Sequence, residues 1–441
     1  MTVEKRQILD MNAFDPLNSA GEMAPGVSRR LANIGATSVL FYQNPIDIVS
    51  ASGAWVTSHD GTRYLDFYNN VLSLGHCHPT VISAICRQTE TLNINTRYLS
   101  SVVDDYLDAL KSKLPNSLSN IALTCSGSEA NDLALRVACA VTGNRGFIVT
   151  ENAYHGNTSL VTDISPSALK KRPLPDHVIA VPAPATANFP ANVTDGFSDA
   201  IDRAALALEE RGYGLAALIA DSVFSSDGVF SNPPGFMAQA VSIVHRHKGL
   251  YIADEVQPGF ARTGSGFWGF EHYDVVPDLV TMGKPMGNGY PMAGLASRPE
   301  YFDEFCADVG YFNTFGGNPV AAAAGHAVLN VIDNEGFQLN ARIMGDYLED
   351  ALNSLATTCS SISDVRCKGL FIGIEISKGE DSSDPDPNTA SAIINQLRNQ
   401  GVLIGAAGKF GNVLKIRPPL CINFSEADYF IEKLSKIVAG H

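Results

Sequence analysis

The chain has no run of roughly eighteen apolar residues, so no segment reads as a membrane-spanning helix. Positive charge is scarce. The 31 Lys and Arg residues stand against 46 Asp and Glu, and a net charge of −15 argues against nucleic acid or an anionic membrane as a partner. Eight cysteines (Cys77, Cys86, Cys125, Cys139, Cys306, Cys359, Cys367, Cys421) form neither a CxxC pair nor a regular framework, so the expectation is free thiols in a reducing cytoplasm. The opening stretch MTVEKRQILDMNAFDP mixes charges and lacks the apolar core of a secretory signal. There is no internal repeat and no low-complexity tract. With 45% hydrophobic and 17% charged residues, the composition is that of a soluble, well-packed globular protein.

What is present fills two domains. The 441 residues are enough for a large and a small core. Between about 120 and 320, short apolar runs at Asn120–Thr124, Gly146–Thr150, Val178–Val181, Leu215–Ala220, Leu250–Ala253 and Leu279–Met282 read as strands. Amphipathic stretches at 129–141, 197–210 and 235–247 fall between them, which predicts βαβ units and a mostly parallel sheet flanked by helices. Beyond 325 the pattern changes to long helices at 319–333 and 336–356, with short strands at 369–376 and 412–417. Near the start, DIVSASGAWVTSHDGTRYLDF reads as a strand pair turning at Asp60-Gly61. The stretch 376–389 reads as an acidic surface loop. The division is 1–65 (N-terminal part of the small domain), 66–325 (large domain) and 326–441 (C-terminal part of the small domain), with a cleft between the two domains.

Asp254 ends a buried strand in LYIADEVQPGFARTG, at the edge where open α/β sheets place ligands; alone it could be an ordinary turn-capping Asp. Lys284 in LVTMGKPMGNGYP sits among glycines and apolar residues, a setting that lowers an amine's pKa and suits imine chemistry. Gly127 and Ser128, between a strand and a helix, offer backbone N–H groups and a hydroxyl to a phosphate; the plain alternative is a helix cap. Tyr154-His155-Gly156 places an aromatic ring at a strand end. Thr314, in FNTFGGNP, is a second phosphate donor or a turn residue. His76-Cys77-His78 has no further spaced ligands, and no metal is expected. Gly287-Asn288-Gly289 does not follow a dinucleotide fingerprint.

Together and in this order, SGSEAND, YHG, ADEVQPGFARTG, TMGKPMGNGYP and NTFGGNP resemble the class III aminotransferase family of fold-type I pyridoxal-phosphate (PLP) enzymes. The resemblance implies an α/β fold, with a large domain built on a mostly parallel, seven-stranded-type sheet and a smaller α+β domain formed from both chain ends. It implies pyridoxal 5'-phosphate held as a Schiff base by Lys284, with Asp254 on the pyridine nitrogen. Gln257 would approach the ring hydroxyl, Tyr154 would stack on the ring beside His155, and Gly127 and Ser128 would bind the phosphate. Thr314 would reach the same phosphate from a neighbouring subunit, so a homodimer or a tetramer with shared active sites is expected.

Departures from the family pattern bear on the reaction. Where many members carry a carboxylate-binding Arg, the segment VLKIRPPL has Lys415, with Arg417 two residues on; a lysine suits phosphate as a point charge better than it replaces a bidentate fork. The family's gating Glu falls at Ser226 in DSVFSSDG, and Asn157 follows Gly156 where some members have Arg. With NNVLSLGHCHP and LNINTRYL, these features resemble the phospho-lyases acting on phosphoethanolamine and phosphohydroxylysine. That resemblance implies elimination of phosphate from a small phosphorylated amine, with Arg97 and Lys415 neutralising the phosphate. The alternative is an amine or ω-amino-acid transaminase using pyruvate or 2-oxoglutarate. A PLP-binding protein without turnover is weighed against by the presence of both Lys284 and Asp254.

Overall fold

The computed structural model describes residues 4–16, 25–37, 39–379 and 384–440. In chain order the strands are β1 (Ile48–Ser52), β2 (Trp55–Ser58), β3 (Arg63–Asp66), β4 (Asn120–Thr124), β5 (Gly146–Thr150), β6 (Val178–Val181), β7 (Leu215–Asp221) and β8 (Leu250–Asp254). They continue with β9 (Leu279–Met282), β10 (Ala293–Ser297), β11 (Ile362–Lys368), β12 (Phe371–Ile376), β13 (Val402–Leu403), β14 (Gly405–Ala407) and β15 (Val413–Ile416).

The central sheet has seven strands in the order β4-β10-β9-β8-β7-β5-β6. Pairs β5–β6, β5–β7, β7–β8 and β8–β9 are parallel, and β10 alone runs antiparallel, between β4 and β9. Strands β5, β8, β9 and β10 are buried at every position, because helices cover both faces of the sheet. This is the expected α/β class. The six short apolar runs are all strands, two of them one residue longer than read.

Strand β10, AGLAS, carries no sequence signal, since Ala and Gly lack the branched surface that favours strands. Its small side chains lie against helix Gly127–Thr142, which packs on this strand.

Two smaller sheets draw on both ends of the chain. One is β1-β2-β3-β13, where the hairpin at Asp60-Gly61 joins β2 to β3, and β13 adds in parallel to β3. The other is the antiparallel sheet β11-β12-β15-β14. The acidic stretch 376–389 is shorter as a loop than read. Asp386 caps a helix beginning at Pro387, accepting from the N–H groups of Asn388 and Thr389, and 380–383 lie outside the described residues. Among the described residues no helix is long and apolar enough to cross a membrane.

Candidate active site

The carboxyl ends of β4, β5, β7, β8 and β9 converge on one cavity of about 320 Å³. It is lined by Gly127, Ser128, Tyr154, His155, Asp254, Gln257 and Lys284, so seven of the ten residues singled out from the sequence meet in one place.

Helix Gly127–Thr142 follows β4 and is closed by a capping box. Ser126 accepts from the N–H of Glu129 at 3.3 Å, and the Glu129 carboxylate accepts from the N–H groups of Ser126 (3.1 Å) and Cys125 (2.6 Å). The cap is therefore Ser126, and Gly127 and Ser128 in the first turn face the cavity. Gly156 has φ +142°, and a Cβ there would lie 2.4 Å from Ser128 Oγ. A Cβ on Gly127 would lie 3.0 Å from Val256. The two glycines leave a cradle at a helix N-terminus that fits a phosphate group.

Asp254 is buried and held by three donors. His155 Nδ1 lies 2.7 Å from its Oδ2, Asn131 Nδ2 donates to the same oxygen at 3.0 Å, and the Val256 N–H donates to Oδ1 at 3.1 Å. Burial pushes this carboxyl up, but His155 and Lys284 outweigh it and hold it below the usual range, which keeps it anionic. Lys284 begins a short 3₁₀ turn after β9. Burial pushes its amine below the ordinary lysine value, with Arg417 acting in the same direction and Asp254 against.

Two basic side chains, Lys415 on β15 and Arg417 just after it, are buried, and neither lines the cavity itself. Burial and Arg417 drive Lys415 well below its ordinary pKa, while Asp221 opposes them. Arg417 Nη1 donates to Gln257 Oε1 at 2.8 Å, but its buried Nε has no acceptor among the described residues. Gln257 also accepts from Asn70 Nδ2 at 3.1 Å and donates to Ser225 Oγ at 2.8 Å.

Arg97 and Thr314 are not in this cavity. Both are exposed, and the Arg97 guanidinium lies 4.3 Å from the ring centroid of Phe312, so within one chain Arg97 does not join Lys415. Sequence reasoning also passed over Asn131, Asn70 and Asp221. Asn131 was legible as the position one turn after Gly127, on the same helix face. Asp221 ends β7 in register with Asp254, so the edge that singled out Asp254 also presents it. The imidazoles of the His76-Cys77-His78 stretch part company: His76 meets Asp66 at 2.7 Å and His78 meets Glu335 at 3.2 Å.

A buried lysine facing a clamped aspartate, beside a glycine-lined helix N-terminus on a seven-stranded sheet, is the arrangement of a fold-type I PLP enzyme. A family model described as aminotransferase class-III matches residues 39–438, and the chain belongs to that family. Its cofactor is pyridoxal 5'-phosphate. The chain is 39% identical to a Drosophila melanogaster protein named alanine–glyoxylate aminotransferase 2-like, over 92% of this chain and 85% of that one. It is 37% identical to ethanolamine-phosphate phospho-lyase homolog 1 of Caenorhabditis elegans, over 90% of this chain and 89% of that one. A solved structure, a phospholyase from Arthrobacter in complex with phosphoethanolamine, superposes with a TM-score of 0.91 at 41% identity, covering 94% of this chain and 99% of the other.

Proposed function

We propose that the protein is a PLP-dependent phospho-lyase that eliminates phosphate from O-phosphoethanolamine, or a similar phosphorylated amino alcohol, to give an aldehyde, ammonia and phosphate. The observation that carries this reading is the buried pair Lys415 and Arg417, with an unmet Arg417 donor and Ser226 where a gating carboxylate would shield an arginine. A buried donor without an acceptor favours a ligand that brings oxygen atoms and negative charge. The likeness to a structure solved with phosphoethanolamine supports the same reading.

When bound, the cofactor supplies a ring that withdraws electrons from the substrate's amine-bearing carbon. Lys284 would hold it covalently, and Asp254 would face the ring nitrogen, kept anionic by His155 and Asn131. Gly127 and Ser128 would bind the cofactor phosphate, Tyr154 would cover one ring face, and Gln257 would meet the ring hydroxyl. When not bonded to the cofactor, the Lys284 amine would be the base for the proton on the amine-bearing carbon. A depressed pKa leaves that amine unprotonated more often near neutrality. The electrons of the broken C–H bond form the new double bond, and those of the C–O bond leave with phosphate. Arg417 would hold the substrate's phosphate group from binding onward, and Lys415 would offset the charge that builds on the departing oxygens. The unsaturated amine hydrolyses to aldehyde and ammonia. Thr314 of a neighbouring subunit would complete the cofactor site, which makes a homodimer the smallest active unit.

A second reading, an amine transaminase, is favoured by the name of the Drosophila relative. The assay that separates them mixes PLP-loaded protein with phosphoethanolamine and no keto acid. Sustained, equal release of phosphate and ammonia over many turnovers is expected. Activity only when pyruvate or 2-oxoglutarate accompanies an amine would replace the lyase by a transaminase.

A further inference from the structure

Asp66 and His76 are ten residues apart and touch, His76 Nε2 lying 2.7 Å from Asp66 Oδ2. The contact closes the base of a loop whose interior runs along the wall of the active site, an arrangement of the Ω-loop kind. Asp66 is buried at the end of β3, and its carboxylate gathers the loop's first turn. It accepts from the N–H groups of Tyr68 and Asn69, each at 3.0 Å, and from Asn69 Nδ2 at 2.8 Å. Four acceptor contacts on one buried carboxylate mark it as an anion, so the imidazole is the donor at Nε2. His76 is fixed from the other side by its backbone, which exchanges both hydrogen bonds with Gly53 (2.7 and 3.1 Å).

The loop between these ends carries three residues to the site. Asn70 Nδ2 donates to Gln257 Oε1 at 3.1 Å, Val71 lines the cavity of Lys284, and the Tyr68 ring lies 4.9 Å from the Arg417 guanidinium carbon. The Phe67 carbonyl accepts from the N–H of Arg417 at 2.8 Å. Arg417 and Gln257, which bond to each other, are thus both backed by residues of this loop.

We infer that the His76–Asp66 pair is a positioning clamp for substrate recognition, holding Tyr68 and Asn70 so that Arg417 keeps its orientation toward the substrate's anionic group. His76 touches none of the residues expected to meet the cofactor; it acts through the loop. Loosening the clamp therefore weakens substrate binding far more than cofactor binding, because of the residues expected to hold the cofactor only Gln257 is backed by this loop, while Lys284, Asp254 and the Gly127–Ser128 turn are held by other elements. The inference rests on the phospho-lyase reading for the identity of the substrate.

The test uses the PLP-loaded enzyme and steady-state kinetics with phosphoethanolamine. His76→Ala is expected to raise KM about tenfold while kcat stays within about threefold and bound PLP is unchanged. His76→Gln, which keeps an N–H donor at similar reach, is expected to restore KM to within about threefold of wild type. Asn70→Ala leaves the clamp in place, removes the contact with Gln257, and is expected to raise KM in the same way even if His76→Ala fails to fold. An unchanged KM in Asn70→Ala and in whichever His76 variants fold overturns the inference. So does a joint loss of kcat and bound PLP with KM unmoved, because that is the mark of a merely structural residue. If the wild type releases no phosphate and needs a keto acid, the lyase reading fails. The clamp is then judged by the same split in KM and kcat for the amine that is turned over.

Discussion

His155 Nδ1 lies 2.7 Å from Asp254 Oδ2, with both side chains almost free of solvent contact. His155 Nε2 has no partner among the described residues, so Nδ1 carries the proton that Asp254 accepts. Burial alone pushes a carboxyl toward its neutral form, and His155 is the strongest influence holding Asp254 below the usual range. Replacing His155 with Leu leaves Asn131 and Val256 as donors and raises the Asp254 pKa. A neutral Asp254 cannot pair with a protonated pyridine nitrogen, so activity is lost at a higher pH than in the wild type. The acid limb of kcat/KM is expected to move up by about one pH unit, and PLP affinity to fall about tenfold. Equilibrium dialysis and a pH–rate profile check both, and unchanged values would deny the clamp any electrostatic part.

Lys284 is the one lysine lining the cavity among the described residues, and burial lowers its pKa there. Borohydride reduction of the loaded enzyme is expected to leave a stable cofactor adduct on the peptide containing Lys284. Lys284→Ala is expected to carry no such adduct and to lose at least about a thousandfold in kcat, since both the covalent anchor and the base are removed. An adduct found on Lys415 instead would move the anchor to β15.

Much of this candidate site is legible in the sequence, and the reason is local. Asp254 ends a short apolar strand and Lys284 follows another by two residues, and a strand's end is visible in sequence when polar or glycine residues follow it. Asn131 and Asp254 meet across 123 positions, and Arg417 and Gln257 across 160, and no spacing rule reaches that far. The pairing of Arg97 with Lys415 is not made within one chain, and sequence spacing gives no sign of that either. Both are basic residues in stretches typical of the family, but one projects from an exposed segment over Phe312 and the other is buried on β15. Strand β10 was hidden differently: its place depends on register with β4 and β9, and its Ala and Gly residues say nothing of it locally.

Gly156 packs directly against Ser128 in the first turn of its helix. A methyl group there would lie 2.4 Å from Ser128 Oγ and 2.9 Å from Ser128 Cα, and φ +142° is a conformation that side chains resist. Gly156→Ala therefore forces Ser128 and the start of its helix to shift. The expected cost is about 2–4 kcal/mol, read as a fall in the denaturation midpoint, together with weaker PLP binding. Ala at Gly143, where a Cβ meets nothing within 4 Å, controls for positive φ alone, at +68°. Equal effects at both positions would mean that the contact with Ser128 is unimportant.

Glu255 follows Asp254 but points away from the cavity chemistry, accepting from Ser222 Oγ (2.5 Å) and from the N–H groups of Gly269 (2.8 Å) and Phe270 (2.9 Å). Burial pushes its carboxyl up to about 8, against an ordinary value near 4.5, despite those donors. The folded state therefore keeps a proton that the unfolded chain releases across this window. Stability from this group is fully present below about 4.5, declines as pH rises, and is gone once the folded group ionises above about 8. The slope has an upper limit of about 1.4 kcal/mol per pH unit. Asp227 is also raised, to about 6, so its own window closes lower; Asp221, His245 and His247 are raised as well but act alike in wild type and variant, so the difference between the two from about 6.5 to 8 reports Glu255. Glu255→Gln cannot ionise and still offers an acceptor to the backbone N–H groups. Denaturant midpoints taken at several pH values should fall more steeply for the wild type than for the variant over that range. Parallel curves would mean that Glu255 is already ionised in the folded protein at neutral pH, held by Ser222 and the two N–H donors.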